Sequence, residues 1–113
     1  MPHCIIEYSE GVEAFIDPSL LLTAAYRGAL ASQLFEEPDI KTRAISYKHY
    51  QIGAFKKEFV HINIKILSGR TTEQRHQLSA AVLKELQTLS LRDTSLTIEV
   101  CDIEKHSYEK STT

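Results

Sequence analysis

The start of the chain carries the residue with the most distinctive chemical potential. Proline is the second residue, in the run Met1-Pro2-His3-Cys4-Ile5-Ile6-Glu7. Loss of Met1 would give Pro2 a secondary amine, a base without any side chain, whereas retention of Met1 would leave an amide with no usable lone pair. A proline that begins a strand is also ordinary structure. Residue 2 alone therefore leaves a catalytic amine and a strand-initiating proline both open.

Histidine and cysteine are the other residue types that could carry chemistry. The chain has five histidines and two cysteines, and neighbouring strands could bring together His3, His61 and Cys101. Zinc ligands usually occur as close local pairs such as C-x2-C, and the sequence contains no such pair. We therefore predict no metal site, and we interpret Cys4 as a small core residue.

Length and charge limit the class of protein. The 113 residues suit a single domain, residues 1–113, whose small size favours burial of surface by self-association. A formal charge of −2 gives no basic footprint for nucleic acid or a membrane surface. No apolar run approaches the roughly 18 to 20 residues that span a bilayer. The two cysteines and the lack of a signal-peptide start predict a reducing, cytoplasmic setting.

The first half of the chain is predicted as strand, helix and strand. Residues 2–8 form a covered strand that ends in a turn at residues 9–11. Asp17 suits a helix N-cap and Pro18 the first helical position, and the helix must end before Pro38. Its apolar face is predicted to contain Leu21, Leu22, Ala25, Ala29 and Gln33. The β-branched and aromatic content of residues 40–48 predicts a second strand, which places Lys41 and Arg43 on one face.

The second half repeats this order with clearer patterns. Residues 59–67 alternate strictly, with Val60, Ile62, Ile64 and Ile66 on one face and His61, Asn63, Lys65 and Leu67 on the other. Thr71 and Gln74 form a T-x-x-Q capping box that predicts the start of the second helix. Residues 96–101 alternate again and predict the last strand. The polar tail, residues 105–113, is expected to fray or to dock on a neighbouring chain.

The fold class follows from the repetition. Two β-α-β units, about residues 2–57 and 58–104, can be superposed with a constant offset that places Pro2-His3 on Val60-His61. We predict an α+β, two-layer fold with a four-stranded mixed sheet and two helices on one face, with parallel pairing inside each unit. The other face mixes polar and apolar residues, which suits a subunit interface. A ferredoxin-like binding module has the same element order; it predicts antiparallel pairing between the halves and no special role for residue 2.

Residues 61–75, HINIKILSGRTTEQR, carry a family resemblance. Their strand, Gly-Arg turn and capped helix resemble the opening of the small tautomerases of the 4-oxalocrotonate tautomerase type. With the Pro-His start and two fused units, the chain from Pro2 to about Ile103 most resembles the 5-carboxymethyl-2-hydroxymuconate isomerase family. The resemblance implies the tautomerase fold, a homotrimer, and a cofactor-independent isomerase. Such an enzyme would convert a carboxylated 2-hydroxy-dienoate to its conjugated ketone in aromatic-acid breakdown, as in homoprotocatechuate degradation.

The resemblance also implies the site residues. Pro2 would be the catalytic amine, and Arg70, the arginine of the Gly-Arg turn, would hold a carboxylate or the charged dienolate oxygen. Lys41 and Arg43 stand where the family has strand arginines and are predicted to bind substrate, although the lysine lacks a planar fork. His3, beside Pro2, is predicted in the substrate-binding set, where its ring would tune the amine.

Other functions remain open at this stage. A phenylpyruvate-type tautomerase, a hydratase or a decarboxylase would use the same proline. The last two need a carboxylate that activates water near Pro2, and Glu7 is the nearby candidate in the sequence. The expected partners are a small carboxylated dienol and further copies of the chain, and neither nucleic acid nor a membrane is expected.

Overall fold

A four-stranded sheet and two helices that cover one of its faces make up the structure. The computed structural model describes residues 1–55 and 57–113. Its main elements are β1 (His3–Ser9), α1 (Ser19–Ala31), β2 (Lys41–Tyr47), β3 (Glu58–Leu67), α2 (Thr72–Leu86) and β4 (Thr94–Ile103). Three short 3-10 turns occupy Glu10–Ala14, Glu37–Asp39 and Lys105–Ser107. The predicted fold class, with its two β-α-β units, is confirmed. In the described part of the chain, neither α-helix has the length and apolar character that a membrane crossing requires.

The sheet order is β2-β1-β3-β4. β1 and β2 pair in parallel, as do β3 and β4, whereas β1 and β3 are antiparallel, with Ile5 opposite Asn63. The ferredoxin-like alternative predicts antiparallel pairing between the halves, but a mixed sheet with two parallel units contains it as well, so this pairing does not separate the two folds. The order of the strands does, because a split β-α-β arrangement places another strand between the two strands of a unit. Here each unit keeps its two strands adjacent.

The core lies between the sheet and the helices. The predicted alternation on β3 is confirmed, since all four of its inward side chains are at most 1% exposed: Val60, Ile62, Ile64 and Ile66. They meet Leu21 and Ala25 of α1 and Leu78 and Val82 of α2 in one cluster. Each fully buried aliphatic side chain contributes about 1.5–3 kcal/mol relative to exposure. This one-sided core leaves the opposite sheet face for other contacts.

The helix ends differ in detail from the sequence prediction. α1 begins one residue later than predicted, with Pro18 at the N-cap, although the Asp17 carboxylate still accepts a 2.8 Å hydrogen bond from the Ser19 amide. Gln33 was wrongly placed on this helix; it lies beyond the helix with φ of 60°. The turn there brings the partly buried Leu34 back against the core. On α2 the predicted capping box of Thr71 and Gln74 is confirmed, at 3.1 and 2.9 Å.

The two units differ in the segment that joins the first strand to the helix. Residues 10–18 separate β1 from α1 and include a 3-10 turn with Val12 fully buried. Only residues 68–71 separate β3 from α2. The constant offset predicted from the sequence therefore holds for the first strand of each unit and fails at the helices and second strands, since His3 pairs with Lys41 but His61 pairs with Thr97. The extra residues of the first unit lengthen its connection without changing the strand pairing.

The C-terminal tail folds back on its own chain. The Tyr108 hydroxyl lies 3.0 Å from Nε2 of His3, and Nζ of Lys110 donates to the Asp39 carboxylate at 3.2 Å. The expectation of fraying was wrong for Tyr108 and Lys110, which contact their own chain. The reason is topological, because β4 runs parallel to β3 and β3 antiparallel to β1. The end of β4 is therefore at the same edge of the sheet as the start of β1.

Candidate active site

A cleft of about 440 Å³ opens at the edge of the sheet where β1 begins and β3 ends. Its volume falls in the range of small-ligand pockets. The chain's first residue, the connection after α1, the end of β3 and the tail all contribute to its lining, which consists of Met1, Leu34, Phe35, Glu36, Asp39, Ile66, Leu67, Arg70, Tyr108 and Lys110. The wall is thus apolar, with charged groups of both signs.

The N-terminal residues meet this cleft. Pro2 is fully buried, and its carbonyl accepts a 3.0 Å hydrogen bond from the Lys41 amide, which fixes the start of β1 against β2. Met1, joined to the Pro2 nitrogen, lines the cleft. The pKa of the Met1 amino group is lowered, first by burial and then by the charge of Lys41. An amine at this end of β1 is therefore in an environment that favours its neutral form.

Arg70 reaches the same cleft from the turn between β3 and α2. Gly69 precedes it with φ of 118°, a conformation that side chains rarely adopt, which explains a glycine before the arginine. The Arg70 guanidinium donates a 2.7 Å hydrogen bond to the Leu34 carbonyl and lies 5.8 Å from the centre of the Phe35 ring. A guanidinium has five N–H donors. These contacts orient the group and leave donors for an anion.

His3 connects the other predicted cations to the cleft. Arg43 lies on β2, and its Nη1 is 3.1 Å from Nδ1 of His3, while Nε2 of His3 is 3.0 Å from the Tyr108 hydroxyl. Arginine can only donate, so Nδ1 must accept and the ring proton must reside on Nε2. The pKa of His3 is lowered by burial first and then by Arg43 and Lys41, which agrees with a neutral ring. Both ring nitrogens are therefore engaged within the chain.

The predicted site residues fall into two connected groups. Arg70 lines the cleft directly, whereas Pro2 is buried behind Met1, which lines it. Lys41 and Arg43 lie outside its lining, on β2, with Lys41 opposite His3 in the sheet. The Lys41 ammonium lies 3.4 Å from the carbonyl of Asp39, a cleft residue. Both cations are thus at the margin of the cleft on the open sheet face.

The tail residues of the cleft were missed by sequence reasoning. Tyr108 and Lys110 lie in a short polar segment whose composition predicts no position. The ammonium of Lys110 also lowers the pKa of the Asp39 carboxyl, by hydrogen bonding and by charge. A lone tyrosine in an otherwise polar tail was the available signal, since an aromatic ring with a polar tip often has a partner.

The remaining chemical candidates lie away from the cleft. His61 bonds Thr97 and Glu99, at 2.7 and 2.5 Å, and Cys101 donates to the same Glu99 at 3.3 Å. Within residues 1–55 and 57–113, no three potential ligands come close enough to hold a metal ion. His3 pairs across the sheet with Lys65 rather than with His61.

The carboxylate suggested for water activation is also elsewhere. Glu7 pairs with His61 across the sheet and accepts a hydrogen bond from the Tyr47 hydroxyl. It is absent from the lining of the cleft, whose described carboxylates are Glu36 and Asp39. Tyr50, an aromatic of the middle segment, bonds Glu58 at the opposite edge of the sheet.

The family profile described as 5-carboxymethyl-2-hydroxymuconate isomerase matches residues 2–112. The chain belongs to this isomerase family. A comparison with curated protein sequences returns no match. Membership makes the chain an isomerase, and the cleft at the start of β1 is its candidate active site.

Solved structures with the same fold include other members of this isomerase family. A crystal structure of 5-carboxymethyl-2-hydroxymuconate delta-isomerase has a TM-score of 0.85 at 18% identity, with 100% of this chain and 89% of that chain covered. The isomerase from Deinococcus radiodurans R1 gives 0.79 at 22% identity, with 99% and 90% covered. A fused 4-OT, described as a symmetric trimer, gives 0.78 at 16% identity, with 96% and 91% covered.

Proposed function

We propose that the chain converts a carboxylated 2-hydroxy-dienoate, of the 5-carboxymethyl-2-hydroxymuconate type, to its conjugated keto form in the cleft at the start of β1. One observation carries the proposal. In a chain of this isomerase family, Arg70 lines the same cleft as Met1, the residue joined to the Pro2 nitrogen. The chain then needs only removal of Met1 to put a free amine beside a guanidinium. The proposed setting is aromatic-acid catabolism in the cytoplasm.

The proposed chemistry is a proton shuttle by the Pro2 amine. The neutral nitrogen takes the proton from the enol hydroxyl, and the oxygen lone pair becomes the carbonyl bond while the diene electrons shift. The resulting ammonium returns a proton to a carbon of the former diene, so that the remaining double bond is conjugated with the new ketone. The reaction consumes no oxidant and no net proton. Burial and the charge of Lys41, which lower the pKa of the present terminal amine, would also keep the Pro2 amine neutral near pH 7.

The cations have complementary proposed roles. Arg70 is oriented by Leu34 and Phe35, so it offers a fixed guanidinium to a substrate carboxylate or to the dienolate oxygen. Lys41 and Arg43 are at the margin of the cleft, where they would attract the substrate's second carboxylate. Since Lys110 is paired with Asp39, Arg70 supplies the positive charge of the cleft that no carboxylate of the described residues pairs with.

The open sheet face supports self-association as a homotrimer. It carries large exposed apolar side chains, with Ile45 53% and Tyr47 36% exposed, beside the half-buried Ile5. The fused 4-OT with the same fold is described as a trimer. We therefore expect a solution mass of three times the 12.8 kDa of one chain, measured by light scattering. A monomer at micromolar concentration would contradict this part of the proposal.

The Asp39 carboxylate of the cleft is poorly suited to the water activation that a decarboxylase or hydratase needs. Asp39 accepts a hydrogen bond from Lys110, which lowers its pKa and makes it a weaker base toward water. Accumulation of a hydrated or decarboxylated product, rather than the keto isomer, would favour that alternative. Product analysis by NMR separates these outcomes.

The direct test compares three forms of the protein in a ketonisation assay. The first is the native form, with loss of Met1 checked by intact mass. The second is Pro2→Ala, which keeps a primary amine. The third has a lysine inserted between Met1 and Pro2, which retains the methionine and keeps the proline nitrogen as an amide. We expect kcat to fall by about 10²–10⁴ in both altered forms, the range of general acid-base catalysis. Undiminished activity in the extended form would refute the amine mechanism.

A further inference from the structure

We propose that Tyr108 is a further catalytic residue of this site, whose hydroxyl donates a hydrogen bond to the enolic oxygen of the substrate while His3 and Arg43 orient it. The inference rests on the proposed ketonisation. It assigns a role to the C-terminal tail, which neither the sequence pattern nor the family resemblance pointed to.

Tyr108 is held at the cleft by several independent contacts. Its ring meets that of His3 edge-on, with centroids 6.1 Å apart and an interplanar angle of 67°. Before it, the Glu104 carboxylate accepts a 3.2 Å hydrogen bond from the His106 amide and fixes the short turn. After it, Lys110 is bound to Asp39. The tyrosine is therefore positioned on both sides along the chain, and it lines the same cleft as Arg70.

The direction of the hydrogen bonds leaves the Tyr108 proton free. Arg43 can only donate, so Nδ1 of His3 accepts and Nε2 of His3 carries the ring proton. That proton is donated to the Tyr108 oxygen at 3.0 Å. The hydroxyl hydrogen of Tyr108 must then point to another acceptor. Within residues 1–55 and 57–113, the Tyr108 hydroxyl has no hydrogen-bond partner other than His3.

The chemistry of a phenol selects the enolic oxygen over a carboxylate. The enolic oxygen gains negative charge as its proton leaves, and a fixed neutral donor stabilises charge that develops in the transition state. The hydrogen bond received from His3 polarises the phenol O–H and makes it a better donor. A carboxylate keeps its charge throughout and is better matched by a guanidinium, which can hold it with two parallel hydrogen bonds. Loss of the hydroxyl should therefore lower kcat rather than raise KM.

Tyr108→Phe is the first experiment, with Tyr50→Phe as its matched control. Both variants remove one hydroxyl that contacts a side chain, but Tyr50 bonds Glu58 at the opposite edge of the sheet. We expect kcat to fall about 10²-fold in Tyr108→Phe, the lower end of the range for loss of one such donor. KM should stay within about twofold, and Tyr50→Phe should leave both constants unchanged. The phenylalanine ring keeps the edge contact with His3, and hydrogen exchange of the tail amides checks that the tail stays docked.

Incorporation of 3-fluorotyrosine at position 108 supplies a second measurement. The fluorinated phenol is more acidic but has nearly the same shape. If the Tyr108 hydroxyl donates a hydrogen bond to the enolic oxygen in the transition state, this change in acidity should alter kcat. A purely structural tyrosine would leave kcat unaltered. A retained kcat in Tyr108→Phe overturns the inference, as does a rise in KM alone.

The failure of this inference and that of the proposed function have different signatures. If the native form with a free Pro2 amine does not ketonise the dienol, the proposed function fails and this inference fails with it. If Pro2→Ala is inactive while Tyr108→Phe keeps its kcat, only the role of Tyr108 is refuted.

Discussion

Two clefts of nearly equal volume, about 440 and 420 Å³, lie at opposite edges of the sheet. The first lies where β1 begins and β3 ends. The second lies where β1 ends and β3 begins, and it is lined by Glu10, Gly11, Ala14, Lys48, Tyr50 and Glu58. Because the two units are related by an approximate twofold axis through the antiparallel pair, each cleft is the counterpart of the other.

Arg70 of the first cleft has no charged counterpart at the matching position of the first unit. The offset that places Pro2 on Val60 also places Val12 on Arg70. Val12 is fully buried in the core, whereas Arg70 lies exposed at the first cleft. Both clefts contain carboxylates and a lysine, but the first also contains an arginine and a chain terminus, which the described lining of the second lacks. The duplicated fold therefore forms two clefts, and their side chains determine which of the two can be an active site.

Of the changes predicted to test this difference between the clefts, removal of Arg70 should have the largest effect on activity. Arg70→Ala takes away the guanidinium that would bind a carboxylate or the dienolate oxygen, so kcat/KM should fall about 10²–10³-fold. Arg70→Lys keeps the charge but lacks the planar fork, so it should recover only part of the loss. The control is Lys48→Ala, which removes a cation of the second cleft and should leave kcat/KM unchanged. Equal losses in Arg70→Ala and Lys48→Ala would remove the distinction between the clefts.

A change at the contact between α1 and α2 should have the next largest effect, on the stability of the fold. A Cβ added at Gly28 of α1 would lie 2.5 Å from the Val82 Cα of α2, so the helices would have to separate. Overpacking of this kind costs about 1–3 kcal/mol, and the higher helix propensity of alanine returns up to about 1 kcal/mol. We expect Gly28→Ala to lower the free energy of unfolding by about 1–2 kcal/mol in urea titrations. A more stable variant would show that the close approach is unimportant.

The capping box beside Arg70 should have a smaller effect. Thr71→Ala removes the side-chain oxygen that accepts from the Gln74 amide, and such a change costs about 1 kcal/mol. Thr71→Ser keeps the oxygen and should retain the stability of the native chain. Activity should change less than threefold, since the Gly69 turn still carries the arginine. A loss comparable to that of Arg70→Ala would instead mean that the cap positions the guanidinium.

The pH dependence of His3 gives the smallest expected effect. Its folded pKa is lowered from 6.5, first by burial and then by the charges of Arg43, Lys41, the terminal amine and Lys65. The unfolded state therefore binds more protons, so this contribution to stability is complete above pH 6.5 and is lost as the pH falls below it. Protonation also prevents Nδ1 from accepting from Arg43. We expect kcat of the native protein to fall below pH 6.5 as His3 becomes protonated. In His3→Gln this fall should be absent, and the pH profile should show only the ionisation of the Pro2 amine. If the pH profile of His3→Gln falls at low pH in the same way as that of the native protein, the role of His3 is refuted.

The sequence predicted the frame of the molecule better than its ends. Alternation on β3 and the Thr71 cap are local patterns, and local sequence determines such features. The predicted association of Arg70 with the N-terminus came from family resemblance, and both line one cleft. The position of Tyr108 depends on which edge of the sheet β4 ends at, which no local pattern encodes. Gln33 was misplaced because the helical period continues past the point where Leu34 must turn inward.

The contact between His3 and Tyr108 joins residues 105 positions apart. Closing so long a loop has an entropic cost that a local turn does not have, and contacts of this separation slow folding. The cleft should consequently be among the last parts of the protein to become ordered, after the sheet and helices have packed. It should also be the first part to open in native-state fluctuations. The ability to process substrate would then disappear under mild denaturant before the secondary structure does.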